Sequence, residues 1–516
     1  MPRVVALAAI LLALTTGIAH GASFRVVVVP GLRHDDLRRL EHRGAVGLLV
    51  PGAGPTVDGR SARAALVRGK VENSLRGGIP SGRPLIVAES SRRLPAPPAI
   101  VVGLPGPQAQ PNDRRYPIAV LGHGYRGLLT SPSTRIRGLV SIADVAPTAL
   151  GRDSGLGWSP QHDAVGRLDT LDRRIHDHDT RLPAMLLLGG AIALIALASG
   201  RAAMLAFATA LAANLLLGAF GITALPAVLL ALAASVMVAL PIERLLPTNM
   251  TFGSALALPI ALYLVCLAAA PSWIAFSPLG PTQNARFYGL TNVLVALILV
   301  PALAAANAFR RPLGFGLVAA LAIVTVGGTR LGADGGGAAM LAVGYAVLAV
   351  GLAGAHRRAL AIALPIAAAL VLGLVGIDAA TGATSHVTHA LGGGPGTLAT
   401  DFADRVTLSW LRATDPPALA IAICSCLAGI ALLVGAAIPR HRGTPLLYAV
   451  TAAVGTSLLV NDSPLDVSLV GLVGVWTVVA ATVQWEQIVR GRSAQPSRMN
   501  AGGSSTSWRM LPVRRP

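Results

Sequence analysis

The amino-acid sequence predicts a two-part chain, an N-terminal α/β domain with a parallel-type sheet followed by an all-α polytopic transmembrane bundle of about eleven helices. Three observations predict it. The 516 residues are 53% hydrophobic and only 13% charged, about half the charged share of an ordinary soluble chain. Apolar runs of about 18 residues recur from position 184 to 485, each long enough to cross a bilayer. Ahead of them, residues 23–160 carry short apolar runs separated by polar, helix-spaced segments.

The net charge of +19 would point a soluble protein toward nucleic acid. Here it has another explanation, because arginines anchor helices at the cytoplasmic face and basic tails lie against anionic lipid. Aromatic residues, which stack on bases, make up only 4%, so no nucleic-acid partner is expected. Cys266, Cys424 and Cys426 all fall in apolar runs, as packing residues do, and neither a disulfide framework nor a metal site is expected from them.

Taken in order, residues 1–22 read as a signal peptide or an N-terminal anchor. Arg3 opens it, Val4 to Leu14 form the apolar centre, and Ala19-His20-Gly21 resembles a cleavage site. Residues 23–160 form the expected exported domain. FRVVVVPG, AVGLLVPG, RPLIVAES, PAIVVGL and YPIAVLG read as strands buried on both faces. DDLRRLEHRG and GRSARAALVRGKVE between them have helical spacing, which argues for a mostly parallel, layered sheet. Residues 161–183 form a charged juxtamembrane linker, with Leu168, Leu171, Ile175 and Leu182 near helical spacing. Its run His176-Asp177-His178-Asp179 reads as a solvated face, since neighbouring side chains on a helix diverge.

Spans are expected near 184–199, 202–221, 223–241, 252–271, 291–308, 312–328, 337–355, 359–377, 418–438, 445–460 and 466–485. With the first starting outside, the cytoplasmic turns collect Arg201, Arg244, Arg310, Arg311, Arg357, Arg358, Arg440 and Arg442. The outer loops collect Asp334, Asp378, Asp401, Asp404, Asp415, Asp462 and Asp466. That bias places the chain in the cytoplasmic membrane with its N-terminal domain extracytoplasmic. Residues 486–516 form a basic cytoplasmic tail, Ser/Gly/Arg-rich and expected to be disordered.

Three outer loops carry the candidate chemistry. GPTQNARFYGLTN, residues 280–292, holds Asn284, Arg286, Tyr288 and Asn292. Arg286 runs against the arginine bias, and a guanidinium there suits phosphate or carboxylate, while Asn292 stands where a residue can cap the next helix. VGGTRLGADGGGAAM, residues 326–340, offers Arg330 and Asp334 in a glycine-rich turn that allows close backbone approach. The loop 378–417 has His386 and His389 three apart, a spacing that polar loops share with metal sites. Asp334 and His386 are the candidates for proton transfer, and Arg286, Arg330, Tyr288, Asn284 and Asn292 for binding.

FRVVVVPGLRHDDL, PTVDGRSARAALVRG and the Asp144-Val145-Ala146-Pro147-Thr148 turn make residues 23–160 resemble a reduced alkaline-phosphatase-superfamily domain. The resemblance implies a hydroxyl nucleophile at Thr56 or Ser61 and a metal site opened by an aspartate. Pro30 stands where that aspartate would be, and Gly122-His123-Gly124 is the nearest approach to the family's Asp-His-Gly triplet. Metal ions activate the nucleophile in such enzymes, so the domain is expected to keep the fold and to have lost hydrolysis. The membrane half resembles a group of bacterial membrane proteins with an R-F-Y-G-x-x-N loop, matched by Arg286, Phe287, Tyr288, Gly289 and Asn292. By analogy with lipid phosphoethanolamine transferases, a phosphoryl- or glycan-group transfer on a lipid-linked substrate is one expectation. The others are a transporter or flippase with an extracytoplasmic lid and a non-catalytic envelope scaffold; the sequence does not identify a cofactor.

Overall fold

The computed structural model describes residues 24–52, 56–69, 87–89, 95–152, 155–176, 180–281, 287–309, 311–354, 444–460 and 464–493, with isolated helical positions between 361 and 407. The N-terminal part is built on strands β1 (Arg25–Val28), β2 (Gly44–Val50), β4 (Val87–Glu89), β5 (Ala99–Val102), β7 (Tyr116–Leu121), β8 (Gly127–Thr130), β9 (Leu139–Ser141) and β10 (Gly157–Ser159). They form one sheet in the order β10-β8-β2-β7-β5-β1-β4, with β9 also paired to β2. A separate two-stranded ribbon joins β3 (Thr56–Val57) to β6 (Gln110–Pro111).

The sheet is mixed, with the expected parallel pairs joined by antiparallel ones. β1 runs parallel to β4 and β5, and β2 to β8 and β9, but β7 is antiparallel to both of its neighbours. The stretch from Gly103 to Arg115 between β5 and β7 holds no helix. Without a crossover helix the chain turns back beside the strand it has just left.

Alternation along the strands sorts side chains into two layers. Ala45, Leu49, Ile100, Val102, Ile118 and Val120 face one cluster, which α2 (Gly59–Arg68) and α3 (Val145–Ala149) cover. Val46, Leu48, Val50, Val101, Ala119 and Leu121 face the other, covered by α1 (Leu37–Glu41) and α4 (Ala164–His176). α4 comes from the charged linker, but its Ala164, Val165, Leu168 and Ile175 are buried in this core. Half of the expected linker therefore packs as part of the sheet domain.

The membrane half follows as α5 (Arg181–Ala198), α6 (Gly200–Phe220), α7 (Leu225–Leu245), α8 (Asn249–Ala269), the short α9 (Pro271–Ala275), α10 (Asn292–Phe309), α11 (Pro312–Gly327), α12 (Gly335–Leu352), α13 (Thr444–Val460) and α14 (Pro464–Ser493). Each expected span from 184–199 to 337–355 falls on one of them, as do 445–460 and 466–485; 359–377 and 418–438 lie outside the described residues apart from a few helical positions. Six of these helices, α5 to α8, α10 and α12, are long and apolar enough to cross a membrane. Burial ranks their roles, since the apolar window of α10 is 83% buried and that of α7 only 22%. α10 is the bundle axis, and α7 exposes Leu230, Met237 and Val238 outward.

Ala275, Phe276 and Phe287, all from the connection between α8 and α10, sit in the same apolar cluster as Leu37, Leu40 and Leu168 of the sheet domain. The domain is therefore seated on that end of the bundle. At the other end, Ser199 donates to Glu243 at 2.7 Å, and Gln484 accepts from the Gly200 amide at 2.8 Å.

Candidate functional site

The connection from Pro271 to Thr291 is the joint between the two halves, and its residues 275–281 are buried throughout. Asn214 of α6 fixes it. Its amide nitrogen donates to Tyr263 Oη and to Ser277 Oγ, both at 2.9 Å, and its carbonyl oxygen accepts from the Leu279 amide at 3.0 Å. Tyr263 donates onward to the Leu211 carbonyl at 3.2 Å and Ser277 to that of Ile274 at 2.9 Å. A buried non-helical segment needs such partners, because its backbone polar groups are shut off from solvent. Gly218 completes the fit: a Cβ there would lie 1.9 Å from the Trp273 carbonyl oxygen.

Three arginines of the sheet domain hold the joint from above. Arg115 lies 5.0 Å from the centre of the Phe287 ring, Arg174 5.0 Å from Phe276, and Arg135 4.5 Å from Tyr288. Arg174 also donates to the Gly218 carbonyl at 2.8 Å. Nε of Arg115 and of Arg174 meets no acceptor among the described residues; each guanidinium rests on an aromatic face instead. Burial brings the Arg115 pKa down to about 10, held from falling further by Asp172 and Asp113, so it stays a cation at neutral pH. Asp172 is pushed up by its own burial against the pull of His34, Arg115 and His176.

Two of the three predicted outer loops meet beside this joint. The Leu290 amide donates to the Gly332 carbonyl at 2.9 Å. Asp334 is buried and caps α12, accepting from the Gly337 amide at 2.8 Å, so one of its carboxylate oxygens is already engaged. Arg330 is exposed at the rim, whereas Asn292 and Thr329 are buried. Asn292 is the first residue of α10, and the neighbouring Thr291 does the capping through its hydroxyl, which accepts from the Leu294 amide at 3.2 Å. Tyr288, Asn292, Arg330 and Asp334 thus belong to one end of the bundle. Asn284, Arg286 and His386 lie outside the described residues. Sequence reasoning missed Arg135, whose only local signal is a short polar turn; its φ of +56° turns the side chain over Tyr288.

The sheet domain carries a cleft of about 290 Å³ lined by Val28, Pro30, Arg60, Arg63, Leu104 and Pro105 among others. It opens where the parallel strands β1 and β5 end, the usual ligand position in α/β sheets. Its chemistry is cationic and apolar. Ser61, a predicted nucleophile, is tied into the start of α2, where its hydroxyl lies 3.0 Å from an Asp58 carboxylate oxygen. The Arg60 and Ser61 amides donate to Asp58 at 2.7 and 2.8 Å. Thr56, the other candidate, is exposed on β3. Asp144 of the Asp-x-x-Pro-Thr turn binds the hydroxyls of Ser131 and Ser133, and Thr148 links the Asp144 carbonyl to the Leu156 amide, so the motif braces loops. His123 sits in a turn with φ of +52°, its ring edge-on to Phe24. Among the described residues no three His, Cys, Asp or Glu side chains gather as a metal site.

The Asp58 cap makes a testable contribution. Asp58→Ala removes the acceptor of two amides, a loss of about 1 kcal/mol, measured by chemical unfolding. Those hydrogen bonds, that of Ser61 foremost, hold the Asp58 pKa below its ordinary value. The contribution is therefore complete above the ordinary aspartate range and disappears as pH falls through the lowered pKa. No protein-family model, no curated protein and no solved structure matches the chain.

Proposed function

We propose that this multi-pass membrane protein binds an anionic lipid or lipid-linked group where its sheet domain meets the bundle, on the extracytoplasmic face of the cytoplasmic membrane. The observation that carries the reading is the pairing of the 287–292 and 328–334 loops through Leu290 and Gly332, directly under the sheet domain. Arg330 at the rim supplies charge, and Arg286 is the second cation expected from the sequence. Tyr288, Asn284 and Asn292 orient the group, and Asp334 or His386 serves as base if a transfer follows. The sheet domain acts as a fixed partner without hydrolytic chemistry: Ser61 is tied to the Asp58 cap, and arginines rather than carboxylates line its cleft.

Arg330→Ala and Arg286→Ala test the reading by lipid profiling of cells carrying each variant. Loss of a modified lipid with normal leaflet distribution supports transfer. Accumulation of its precursor on the inner leaflet supports transport instead. Profiles identical to the unaltered chain in both variants remove the bundle-end site and leave the scaffold reading.

A further inference from the structure

The two helical layers of the sheet domain differ in what they face. The layer of α2 and α3 covers the sheet on the side away from the joint. The layer of α1 and α4 shares its apolar cluster with Ala275, Phe276 and Phe287, so it lies on the bundle side. α4 ends at His176 and α5, a candidate span, begins at Arg181. The residues between them reach at most about 17 Å, so the end of α4 lies within that distance of the start of a span.

On this layer arginines predominate among the exposed charges. Arg33, Arg38, Arg39, Arg167 and Arg173 are exposed. Most of the acids are turned to partners within the protein. Asp36 accepts from the Arg33 amide at 2.9 Å, and Glu41 from the Ala164 amide at 2.7 Å. Asp169 lies 2.5 Å from His34 Nε2, and Asp172 faces Arg115, His34 and His176. Asp163, though exposed, caps the Gly166 amide at 2.9 Å, which leaves Asp35 as the other exposed acid among the described residues of this layer. In α1 the division falls within a few residues: Leu37 and Leu40 are fully buried, while Arg38 and Arg39 point outward.

We propose that this outward face of α1 and α4 binds the anionic phospholipid headgroups of the leaflet that α5 enters. The inference rests on the reading that α5 crosses a membrane and is separate from the site at Arg330. Guanidinium groups near such a surface gain from its negative potential within a Debye length. Their guanidinium heads suit lipid phosphate. The headgroups would hold the domain against the bilayer beside the bundle, as a second attachment next to the aromatic joint.

The test uses the full chain with Cys266, Cys424 and Cys426 replaced, carrying a nitroxide label at His42→Cys or, as a control, at Arg330→Cys. Each is reconstituted in bilayers of phosphatidylcholine alone or mixed with phosphatidylglycerol. A nickel-chelating lipid reports proximity to headgroups and a soluble nickel chelate reports exposure to water. The expected result is strong relaxation of the position-42 label by the lipid-bound nickel in the mixed bilayer and weaker relaxation in phosphatidylcholine. Arg38→Gln with Arg39→Gln shifts that balance toward water by about fivefold per charge removed. If position 330 responds to lipid-bound nickel and position 42 does not, or if the two bilayers give the same result, the headgroup face is wrong and the membrane reading stands. If neither position responds, both are wrong.

Discussion

A Phe287→Ala chain loses the seating of its sheet domain. Phe287 is 1% exposed and reaches from the bundle into the cluster built on Val27, Leu37, Leu40 and Leu168. Emptying that position costs about 3–5 kcal/mol. The Arg115 guanidinium also loses the ring it rests on, worth about 1–2 kcal/mol for a desolvated cation. Among the described residues the remaining bundle members of that cluster are Ala275 and Phe276, so the loss is large relative to what the cluster retains. Faster proteolysis between α4 and α5 and a separate, lower unfolding transition for the domain would report it. Phe287→Leu keeps most of the buried area without the ring, so it isolates the cation–π part at about 1–2 kcal/mol. If Phe287→Ala and the unaltered chain are cleaved at the same rate, the joint is not held there.

An Asn214→Leu chain loses the joint from below. Asn214 is fully buried and serves Tyr263, Ser277 and the Leu279 amide at once. Leucine leaves the Leu279 amide without its acceptor in an apolar surrounding, a penalty of about 1–3 kcal/mol, and adds bulk of its own. The 275–281 segment then has to find other partners or leave the bundle end. Hydrogen exchange at the Leu279 amide, slow in the unaltered chain, becomes faster by about one to two orders of magnitude. Asn214→Asp supplies an acceptor but not both donors, so its effect lies between the two.

The sequence made the membrane helices legible because length and hydropathy alone identify them, and α5 to α8 and α10 to α12 fall on the expected spans. It made strand positions legible for a similar reason: β2, β5 and β7 are continuous apolar runs buried on both faces. Strand direction was not legible. Whether β7 runs with or against β5 depends on what the chain does between Gly103 and Arg115, where no periodic pattern exists. The loop 280–292 was singled out for its arginine, tyrosine and asparagines, yet its clearest structural role falls to Phe287, an apolar residue with no chemical signal of its own. Arg115, Arg135 and Arg174 were invisible as partners of the loop, because cation–π contacts between positions more than a hundred residues apart leave no local pattern. The arginine-lined cleft was half legible: Pro30 was noted as a missing metal ligand, but its meeting with Arg60 and Arg63 depends on the crossing of β1 and α2.

The most direct test of the account is membrane-impermeant thiol labelling of intact cells, with single cysteines at Arg137 in the sheet domain, Arg330 in the bundle-end loop and Arg244 at the far end of α7. All three positions are exposed. A domain seated on the joint puts positions 137 and 330 in one compartment and 244 in the other, so the first two react together and 244 only after lysis. Opposite behaviour of 137 and 330 would separate the domain from the bundle end and contradict the shared site.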